Sequence, residues 1–529
     1  MLSAAFCQDT TSLPIIEIKA DRTIIYPQRM NLHGNESLLD ILQMYPDLMI
    51  AGYEDLITGY NLRIDNCPMN ADTRMLISGM LAKDILMIQV CDNTGVAKGT
   101  IGEGRVLDIN MVPYVKGVEG YAEGDIEAFT SDRGIYGVGD VNMQYGNGNT
   151  DLYANASYRY EDVRRDHVML HMTNRFGDRD RLITHFTQQY ANSPSALIPS
   201  DNSDITEKYM GRFRYFHTFN DIGTELLLVG GYQYAQNETS QSSMPMYIVE
   251  LNTPLVDKNL SFMLGTEGDF LTTNTLGSDM QYHVFNNDIY TQLTYALTRW
   301  RLSAGNRVMF YDYGIATSSH PKSPYYDTRD NANISAIFLP SASQQVQVAY
   351  YKKYYNPAYV MLFDGRHILS DDEWAITKGQ LDEQNLNELK VAYAYSKNSL
   401  TLKAEGSYYA VEAGNNFGKI GVSGCWRLPM AVLNGGANLY TATNGSYATL
   451  RFATTLYLPK QWQVGLQGVY YSAYAPQRAS TGVPVYGCVT VDKTFGKRLT
   501  MSVAWHDMFS QRGDGLSNQR FTVILRYRF

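Results

Sequence analysis

The chain has 529 residues, with 44 basic and 53 acidic side chains and a formal net charge of −9. This balance provides no basic surface for nucleic acid, and no stretch of about 20 mainly apolar residues could form a membrane-spanning helix. Charged residues make up only 18% of the chain, and 41 tyrosines outnumber 19 phenylalanines. A β-barrel membrane protein remains compatible with this composition, because its strands place an apolar residue only at every second position.

The N-terminal residues are similar to the end of a secretory signal. Leu2–Gln8 is short and mostly apolar, so we expect export with cleavage near Gln8. Cys7 would suit a lipid anchor, but the bulky Phe6 before it disfavours that alternative. We assign residues 1–12 to an N-terminal tail.

Residues 13–112 mix helical and strand patterns. Apolar positions over Glu36–Met44 predict a short amphipathic helix, which Pro46 ends. Asn61–Asn66 and Ile85–Val90 predict strands. The sequence therefore predicts a small α+β domain of ordinary size.

The cysteines show no spacing typical of a metal site. They are Cys7, Cys67, Cys91, Cys425 and Cys488. Two of them lie in the small domain, and the sequence leaves open whether Cys67 and Cys91 form a disulfide.

From residue 113 to residue 529 the chain repeats strand patterns in which polar residues alternate with apolar or aromatic ones. Successive side chains of a strand point to opposite faces, so each segment has one apolar and one polar face. In the last segment the apolar or aromatic positions are Phe521, Val523, Leu525, Tyr527 and Phe529. The intervening positions are Arg520, Thr522, Ile524, Arg526 and Arg528.

The connections between these segments indicate how the strands are arranged. Every second link is very short, as at Gly177–Asp180 and Gly496–Lys497, whereas the other links include long ones, such as Ala191–Thr206 and Asn356–Asp382. Short turns on one rim and longer loops on the other are typical of outer-membrane barrels. We predict an all-β transmembrane barrel of about 22 antiparallel strands. Two soluble β-sandwiches are the alternative.

Candidate catalytic residues are scarce, and no HExxH, GxSxG or P-loop pattern occurs, so we expect neither an enzyme nor a cofactor. His167 and His171 lie four residues apart on a predicted strand, which is too far for a shared metal ion, so a solvated barrel face is expected. Asp371–Glu373 lies in the longest loop, where we expect a solvated acidic segment; a divalent-cation site is the alternative.

Tyrosines cluster where that longest loop begins. They are Tyr350, Tyr351, Tyr354, Tyr355 and Tyr359. We expect them to form part of an interfacial aromatic girdle, with the stacking of a sugar or another ring as the alternative.

Four motifs carry a resemblance to a known family. Ser37–Pro46 (SLLDILQMYP) is a helix with a closing proline, and Asn61–Pro68 (NLRIDNCP) is a strand with a turn. Val106–Asn110 precedes the first barrel strand, and Ser502–Ser510 (SVAWHDMFS) precedes the last. Together they resemble the TonB-dependent receptors of the Gram-negative outer membrane, which combine a plug domain with a barrel.

The resemblance implies that residues 13–112 form a plug inside the lumen of a barrel made by residues 113–529. It also implies a location in the outer membrane of a Gram-negative bacterium, contact with outer-membrane lipid, and TonB as a partner. The terminal strand resembles the barrel-assembly signal of outer-membrane proteins. The residues that carry this signal are Phe521, Val523, Leu525, Tyr527 and Phe529.

A TonB box is the extended apolar segment that pairs with the energising protein. The candidate residues are Ile15, Ile16, Glu17 and Ile18. The chain departs from the family because the stretch before Asn61 lacks the usual Arg-Gly pair, the plug is short, and most outer loops are small.

Three functions are compatible with these features. The first is TonB-driven uptake of a scarce nutrient through a plugged barrel. The alternative is a non-transporting plugged barrel that serves as a structural subunit of an outer-membrane complex, with a surface lipoprotein over its mouth. The third is diffusion through an open lumen, as in porins.

Overall fold

The computed structural model describes most of the predicted barrel and part of the N-terminal region. The described residues are 16–18, 22–29, 38–43, 60–64, 67–68, 80–91, 105–112, 117–129, 135–160, 164–194, 203–237, 240–256, 259–276, 281–316, 325–355, 384–397, 399–411, 416–442, 445–472, 485–496, 498–506, 508 and 519–528. No helix among them is long and apolar enough to cross a membrane.

The N-terminal region forms a six-stranded sheet with one short helix, which we call the N-terminal sheet. Its strands are β1 (Ile16–Ile18), β2 (Arg22–Ile25), β3 (Tyr60–Ile64), β4 (Cys67–Pro68), β5 (Ile85–Cys91) and β6 (Arg105–Met111), in the spatial order β1-β2-β5-β6-β3-β4. The helix α1 (Leu38–Gln43) begins where the Leu38 amide donates a hydrogen bond of 2.7 Å to the Met80 carbonyl oxygen. The predicted helix and both predicted strands are present.

Twenty-two strands form one closed antiparallel barrel, as predicted. They are β7 (Gly117–Phe129), β8 (Ile135–Gly146), β9 (Thr150–Tyr160), β10 (Arg164–Phe176), β11 (Asp180–Pro194), β12 (Ser203–Thr218), β13 (Glu225–Gln236), β14 (Ser240–Val256), β15 (Leu260–Thr275), β16 (Gln281–Ala296), β17 (Trp300–Ala316), β18 (Tyr325–Ser341), β19 (Gln344–Tyr355), β20 (Gln384–Lys397), β21 (Leu400–Val411), β22 (Phe417–Leu428), β23 (Ala431–Ala442), β24 (Gly445–Leu458), β25 (Trp462–Tyr471), β26 (Val485–Phe495), β27 (Leu499–His506) and β28 (Arg520–Arg528).

The last strand closes the barrel by pairing with the first. β28 pairs antiparallel with β7, with Arg526 opposite Glu123. The Arg526 guanidinium forms an ion pair with the Glu123 carboxylate across this seam, and both side chains are at least nine-tenths buried. Closure pairs the backbone N–H and C=O groups that an open sheet would leave unpaired at its two edge strands. Two soluble sandwiches are therefore excluded.

The predicted short links all join consecutive strands on one rim, which we call the short-turn rim; the opposite one is the long-loop rim. Gly177 and Gly496 in these turns have φ of 72° and 66°, in the left-handed region that glycine adopts without strain. One strand extends further toward the long-loop rim than predicted: β11 runs to Pro194, beyond the start of the predicted Ala191–Thr206 link. The backbones of neighbouring strands remain paired near this rim, although polar and apolar side chains no longer alternate there.

The two faces of each strand differ as the alternation predicts. On β20, Leu389 and Val391 are 51% and 49% exposed, whereas Lys390 and Ala392 are 7% and 1% exposed. Exposed aromatic residues lie near the short-turn rim, as in the interfacial girdle of a membrane barrel. Examples are Tyr295, Trp300, Trp426, Trp462 and Tyr527. The outer wall is therefore suited to lipid.

The strands that carry Cys67 and Cys91 are not neighbours in the N-terminal sheet. Cys67 lies on β4 and Cys91 on β5, and strands β3 and β6 separate them. Three strand spacings amount to about 14 Å, whereas the Cα atoms of a disulfide lie at most about 7 Å apart. The open question about this pair is answered by the strand order.

A charge on the outer wall is expected to destabilise the barrel according to its depth. Val523 is 41% exposed on the outward face of β28, and Tyr527 lies on the same face at the short-turn rim. Val523→Arg is expected to lower the free energy of unfolding by about 2–4 kcal/mol, and Tyr527→Arg by about 0–1 kcal/mol. Urea titration of the barrel in lipid vesicles measures both. Equal effects would mean that this face does not meet a hydrocarbon layer.

Candidate functional site

The N-terminal sheet packs against the inner wall of the barrel, and this contact occupies the lumen. Its core comprises fully buried residues of the sheet and helix, such as Ile25, Ile41, Ile64, Ile88 and Ile109. The same cluster contains inward-facing residues of the wall, namely Tyr153, Met169, Ala394, Cys425, Val432 and Tyr457. Each buried aliphatic side chain contributes about 1.5–3 kcal/mol. One apolar core therefore joins the N-terminal sheet to strands on several sides of the barrel.

The TonB-box candidate lies at the edge of this sheet. Ile16–Ile18 forms β1, which pairs antiparallel with β2, and Glu17 lies opposite Ile24. β1 is the terminal strand of the sheet and runs beside β20 and β21 of the barrel wall. A terminal strand can pair with an added strand through its free edge. Ile15 lies outside the described residues.

A cluster of three lysines around one carboxylate lines the wall on β20, β21 and β22. The Nζ atoms of Lys390 and Lys403 lie 3.2 and 3.0 Å from Glu405 Oε2, and Lys419 Nζ lies 3.1 Å from Oε1. All four side chains are more than nine-tenths buried. Glu388, also buried on β20, accepts a hydrogen bond of 3.2 Å from Ser407 beside this group. We call the three lysines and Glu405 the lysine cluster.

Stacked aromatic rings lie beside the lysine cluster, toward the long-loop rim. The rings of Tyr409 and Phe417 are 4.3 Å apart and nearly parallel, and those of Tyr440 and Tyr447 are 4.6 Å apart. Lys419 Nζ lies 5.8 Å from the centroid of the Tyr440 ring, within reach of a cation–π contact. Tyr409, Phe417 and Tyr440 are, like the three lysines, less than one-tenth exposed.

A second charged cluster lies elsewhere on the wall and is rich in carboxylates. Arg307 on β17 is 1% exposed, and its Nε donates a hydrogen bond of 2.8 Å to Asp288 Oδ2. The same guanidinium forms ion pairs with Glu267 and Asp288. Tyr290 donates a hydrogen bond of 2.9 Å to Glu250 Oε2. This network links four adjacent strands at their inner face.

The histidines predicted on a solvated face are instead buried. His167 and His171 are 1% and 4% exposed on the inner face of β10, where Met169 between them belongs to the core shared with the N-terminal sheet. His185 on β11 lies opposite His171, with ring centroids 5.7 Å apart. The position of His185 opposite His171 depends on the register between β10 and β11. The alternation of polar and apolar residues within one strand does not predict that register. The described residues contain no group of three or more His, Cys, Asp or Glu side chains that could hold a metal ion.

The other predicted residues are distributed as follows. Tyr350 is exposed on the outer wall and donates a hydrogen bond of 2.7 Å to Asn387 Oδ1, whereas Tyr351 is 6% exposed on the inner wall. The tyrosine cluster therefore divides between two faces. In the predicted assembly signal, Phe521, Val523, Leu525 and Tyr527 are all exposed on the outer wall.

Three further predictions fall on residues outside the described ranges. They are the acidic segment Asp371–Glu373, Tyr359 and the terminal Phe529. Arg526 was identifiable as an inner-wall residue from the alternation in the last segment, and Lys403 and Glu405 follow the same alternation on β21. The partners of these residues on neighbouring strands were not identifiable, because the register decides which residues lie opposite each other.

No protein-family model and no curated protein sequence matches the chain. Several solved structures do. The siderophore receptor PirA from Pseudomonas aeruginosa is 12% identical with a TM-score of 0.68, and the match covers 97% of this chain and 100% of that one. The ferric-catecholate import receptor Fiu from E. coli K12 is 13% identical with a TM-score of 0.66, covering 96% and 97%.

The alcaligin outer-membrane receptor FauA from Bordetella pertussis gives a similar result, with 12% identity, a TM-score of 0.67, and coverage of 97% of this chain and 95% of that one. At sequence identities this low, the matches show a shared fold alone. The resemblance that the sequence motifs predicted is confirmed at that level: the chain has the fold of outer-membrane receptors, a 22-strand barrel with an N-terminal sheet in its lumen.

Proposed function

We propose that the chain is a TonB-dependent receptor that resides in the outer membrane of a Gram-negative bacterium and takes up a scarce nutrient. The observation that carries this proposal is the apolar core shared by the N-terminal sheet and the inner wall. A barrel of 22 strands encloses a lumen that must be plugged. Because the plug is held by buried apolar contacts, its rearrangement requires work, and an energising partner that pulls on the N-terminal segment supplies it.

The proposal divides the chain into a plug of residues 13–112 and a barrel of residues 113–529. Strands β1–β6 pair only with one another among the described residues, and β7–β28 form the barrel. The TonB box is assigned to Ile15–Ile18, because β1 lies at the edge of the sheet. Pairing of β1 with a TonB strand would add a strand to this edge.

The ligand that we assign is an anion with planar rings, of the ferric-catecholate type. The lysine cluster supplies positive charge, and the ring pairs Tyr409–Phe417 and Tyr440–Tyr447 supply stacking surfaces. One of the similar structures is a ferric-catecholate import receptor. Aromatic rings and phenolate oxygens are the features of such ligands that these wall residues can recognise.

Uptake of an iron-labelled ferric catecholate by cells that express the chain tests the proposal. Full-length protein is expected to accumulate the label, and deletion of residues 13–19 is expected to abolish accumulation while the barrel stays in the outer membrane. A proton uncoupler should also abolish accumulation of the label by cells that express the full-length protein. Arg179→Leu, which changes an exposed side chain at a short turn of the barrel and leaves β1 intact, is the control and should keep most of the uptake.

Each part of the proposal has its own contradicting result. If the full-length protein accumulates no label, the ferric-catecholate class is wrong. If uptake persists after the deletion, the TonB-driven step is wrong.

A structural subunit beneath a surface lipoprotein is the second candidate function. Short connections at the long-loop rim favour it: only residues 161–163 separate β9 from β10, and only residues 443–444 separate β23 from β24. These two short connections leave space for a protein over that part of the mouth. A lipoprotein that co-purifies in mild detergent, together with uptake that is absent in the full-length protein, would support this second function.

A further inference from the structure

One side of the short-turn rim carries basic residues without acidic ones. It comprises the turns and strand ends between β16 and β27, and the basic residues described there, which we call the basic arc, are Arg299, Arg301, Lys397, Arg427, Lys460, Lys493 and Arg498. The sequence contains no Asp or Glu in the six turns of this side, which are residues 297–301, 341–344, 396–400, 427–431, 458–462 and 493–499. Asp492, next to the last of these turns, lies on the inner wall opposite Gln463. The basic arc is therefore a region of uncompensated positive charge.

The other side of the same rim is different, because its basic residues are paired with acidic ones. Arg179 Nη2 lies 2.9 Å from Asp221 Oδ1, and Arg175 forms an ion pair with Asp151. Among the residues that the structure describes, no member of the basic arc forms an ion pair with an acidic side chain. The positive charge of the basic arc is thus directed to a partner outside the chain.

Tryptophans on the outer wall give the depth at which the basic arc lies. Three exposed cations of the turns each have a tryptophan near them at the same level of the barrel, and the pairs are Arg299 with Trp300, Lys397 with Trp426, and Lys460 with Trp462. The three indole side chains are 43%, 50% and 42% exposed. Tryptophans at the surface of a membrane protein lie at the level of the lipid headgroups. The neighbouring cations therefore lie where lipid phosphates are found.

Lys493 shows how one of these cations is held at that level. Its Nζ lies 5.3 Å from the centroid of the Trp462 ring and 5.7 Å from that of the Phe495 ring, and both rings are exposed on the outer wall. The same Nζ donates a hydrogen bond to the carbonyl oxygen of Lys460 in the adjacent turn. An ammonium group has three protons, so this bond leaves others for a phosphate oxygen. The lysine stem covers apolar surface while its charge stays at the water boundary.

We propose that the basic arc binds the phosphate groups of anionic phospholipids in the membrane leaflet that the short-turn rim contacts. Charge complementarity supports this occupant, because clusters of basic residues beside a membrane attract anionic headgroups. The tryptophans favour a lipid over a partner in free solution, since they place the cations at headgroup depth. Anionic lipid then collects along one side of the barrel. This inference goes beyond the proposed uptake function: it requires a barrel in a bilayer, but neither a nutrient nor TonB.

Quenching of tryptophan fluorescence by brominated lipids tests the proposal locally, because three of the five tryptophans lie beside the basic arc. The purified full-length protein is placed in phosphatidylcholine vesicles that contain equal fractions of brominated phosphatidylglycerol or brominated phosphatidylcholine. We expect phosphatidylglycerol to bind about 5-fold more strongly, the factor that one basic residue near an anionic membrane surface contributes. In 1 M sodium chloride the ratio should fall to about 1, because charges are then screened beyond about 3 Å.

Two matched triple variants show which side of the rim is responsible. The first removes one cation beside each tryptophan and is expected to lower the ratio to about 1; its substitutions are Arg299→Gln, Lys397→Gln and Lys460→Gln. The second removes three cations from the other side and should keep the wild-type ratio; its substitutions are Arg175→Gln, Arg179→Gln and Arg181→Gln. Migration of the unheated proteins in a detergent gel shows that both barrels are folded.

Equal quenching of the wild-type protein by the two brominated lipids would overturn the proposal and would favour an acidic protein as the partner of the basic arc. A preference for phosphatidylglycerol that persists in the first triple variant, or that is lost to the same extent in the second, would also overturn it. The salt experiment uses the wild-type protein alone and so decides even if a variant does not fold: a preference that is unchanged in 1 M salt would contradict binding through charge.

Discussion

A chain that lacks residues 13–112 is expected to conduct ions across a planar lipid bilayer, whereas the full-length chain is expected to conduct almost none. In the full-length protein the N-terminal sheet packs against the inner wall and shares an apolar core with it. Without it, a 22-strand barrel encloses an aqueous passage wider than that of the 16–18-stranded porins. Single-channel recording measures the difference. High conductance of the full-length chain would support porin-like diffusion instead.

Point variants in β5 test the same contact without a deletion. Ile88 is 0% exposed in the shared core, whereas Leu86 on the same strand is 46% exposed. Ile88→Asp is expected to loosen the sheet and raise conductance, because an unpaired carboxylate in an apolar core is strongly unfavourable. Leu86→Asp is the matched control and should remain closed. Equal conductance of the two variants would show that this core does not hold the plug.

Arg307→Leu is expected to be among the most destabilising substitutions in the barrel. Its guanidinium is the cation that pairs with both Glu267 and Asp288 on the inner wall. Removal of one partner from a buried ion pair costs about 3–5 kcal/mol, because the remaining charge stays buried without compensation. The free energy of unfolding, obtained from urea titration of the barrel in lipid vesicles, measures the loss.

The exposed pair Arg179–Asp221 provides the control. Arg179 Nη2 lies 2.9 Å from Asp221 Oδ1, but these side chains are 54% and 95% exposed in and near short turns. Arg179→Leu is expected to change the free energy of unfolding by only about 0–1 kcal/mol, because water screens the pair. A similar effect of both arginine substitutions would show that the Arg307 network is hydrated rather than buried.

The sequence predicted the architecture because its signals are local. Alternation with a period of two residues assigns each side chain of a strand to one face, as for Leu389 and Lys390 on β20. Every second connection between strands is short, which indicated that neighbouring strands are antiparallel and that the number of strands is even. The helix at Leu38–Gln43 was recognisable from its periodicity and the proline that follows.

The candidate site was only partly predictable, because it depends on the register between strands. Alternation placed Lys403 and Glu405 on the inner face, but the approach of Lys390 and Lys419 to the same carboxylate needed the alignment of three strands. His167 and His171 were expected in solvent, since a single strand pattern does not show that the lumen is filled.

The amino-acid sequence by itself determined that the chain forms strands with one apolar and one polar face, that about 22 of them lie side by side, and that a small α+β region precedes them. These features follow from side-chain alternation and turn residues within a few positions. The tertiary structure alone decided which inner residues meet, as for Cys488 with His506, and which remain apart, as for Cys67 and Cys91. The physical reason is that cross-strand pairing joins residues far apart in the chain, so the register and the strand order, rather than any local pattern, fix these distances.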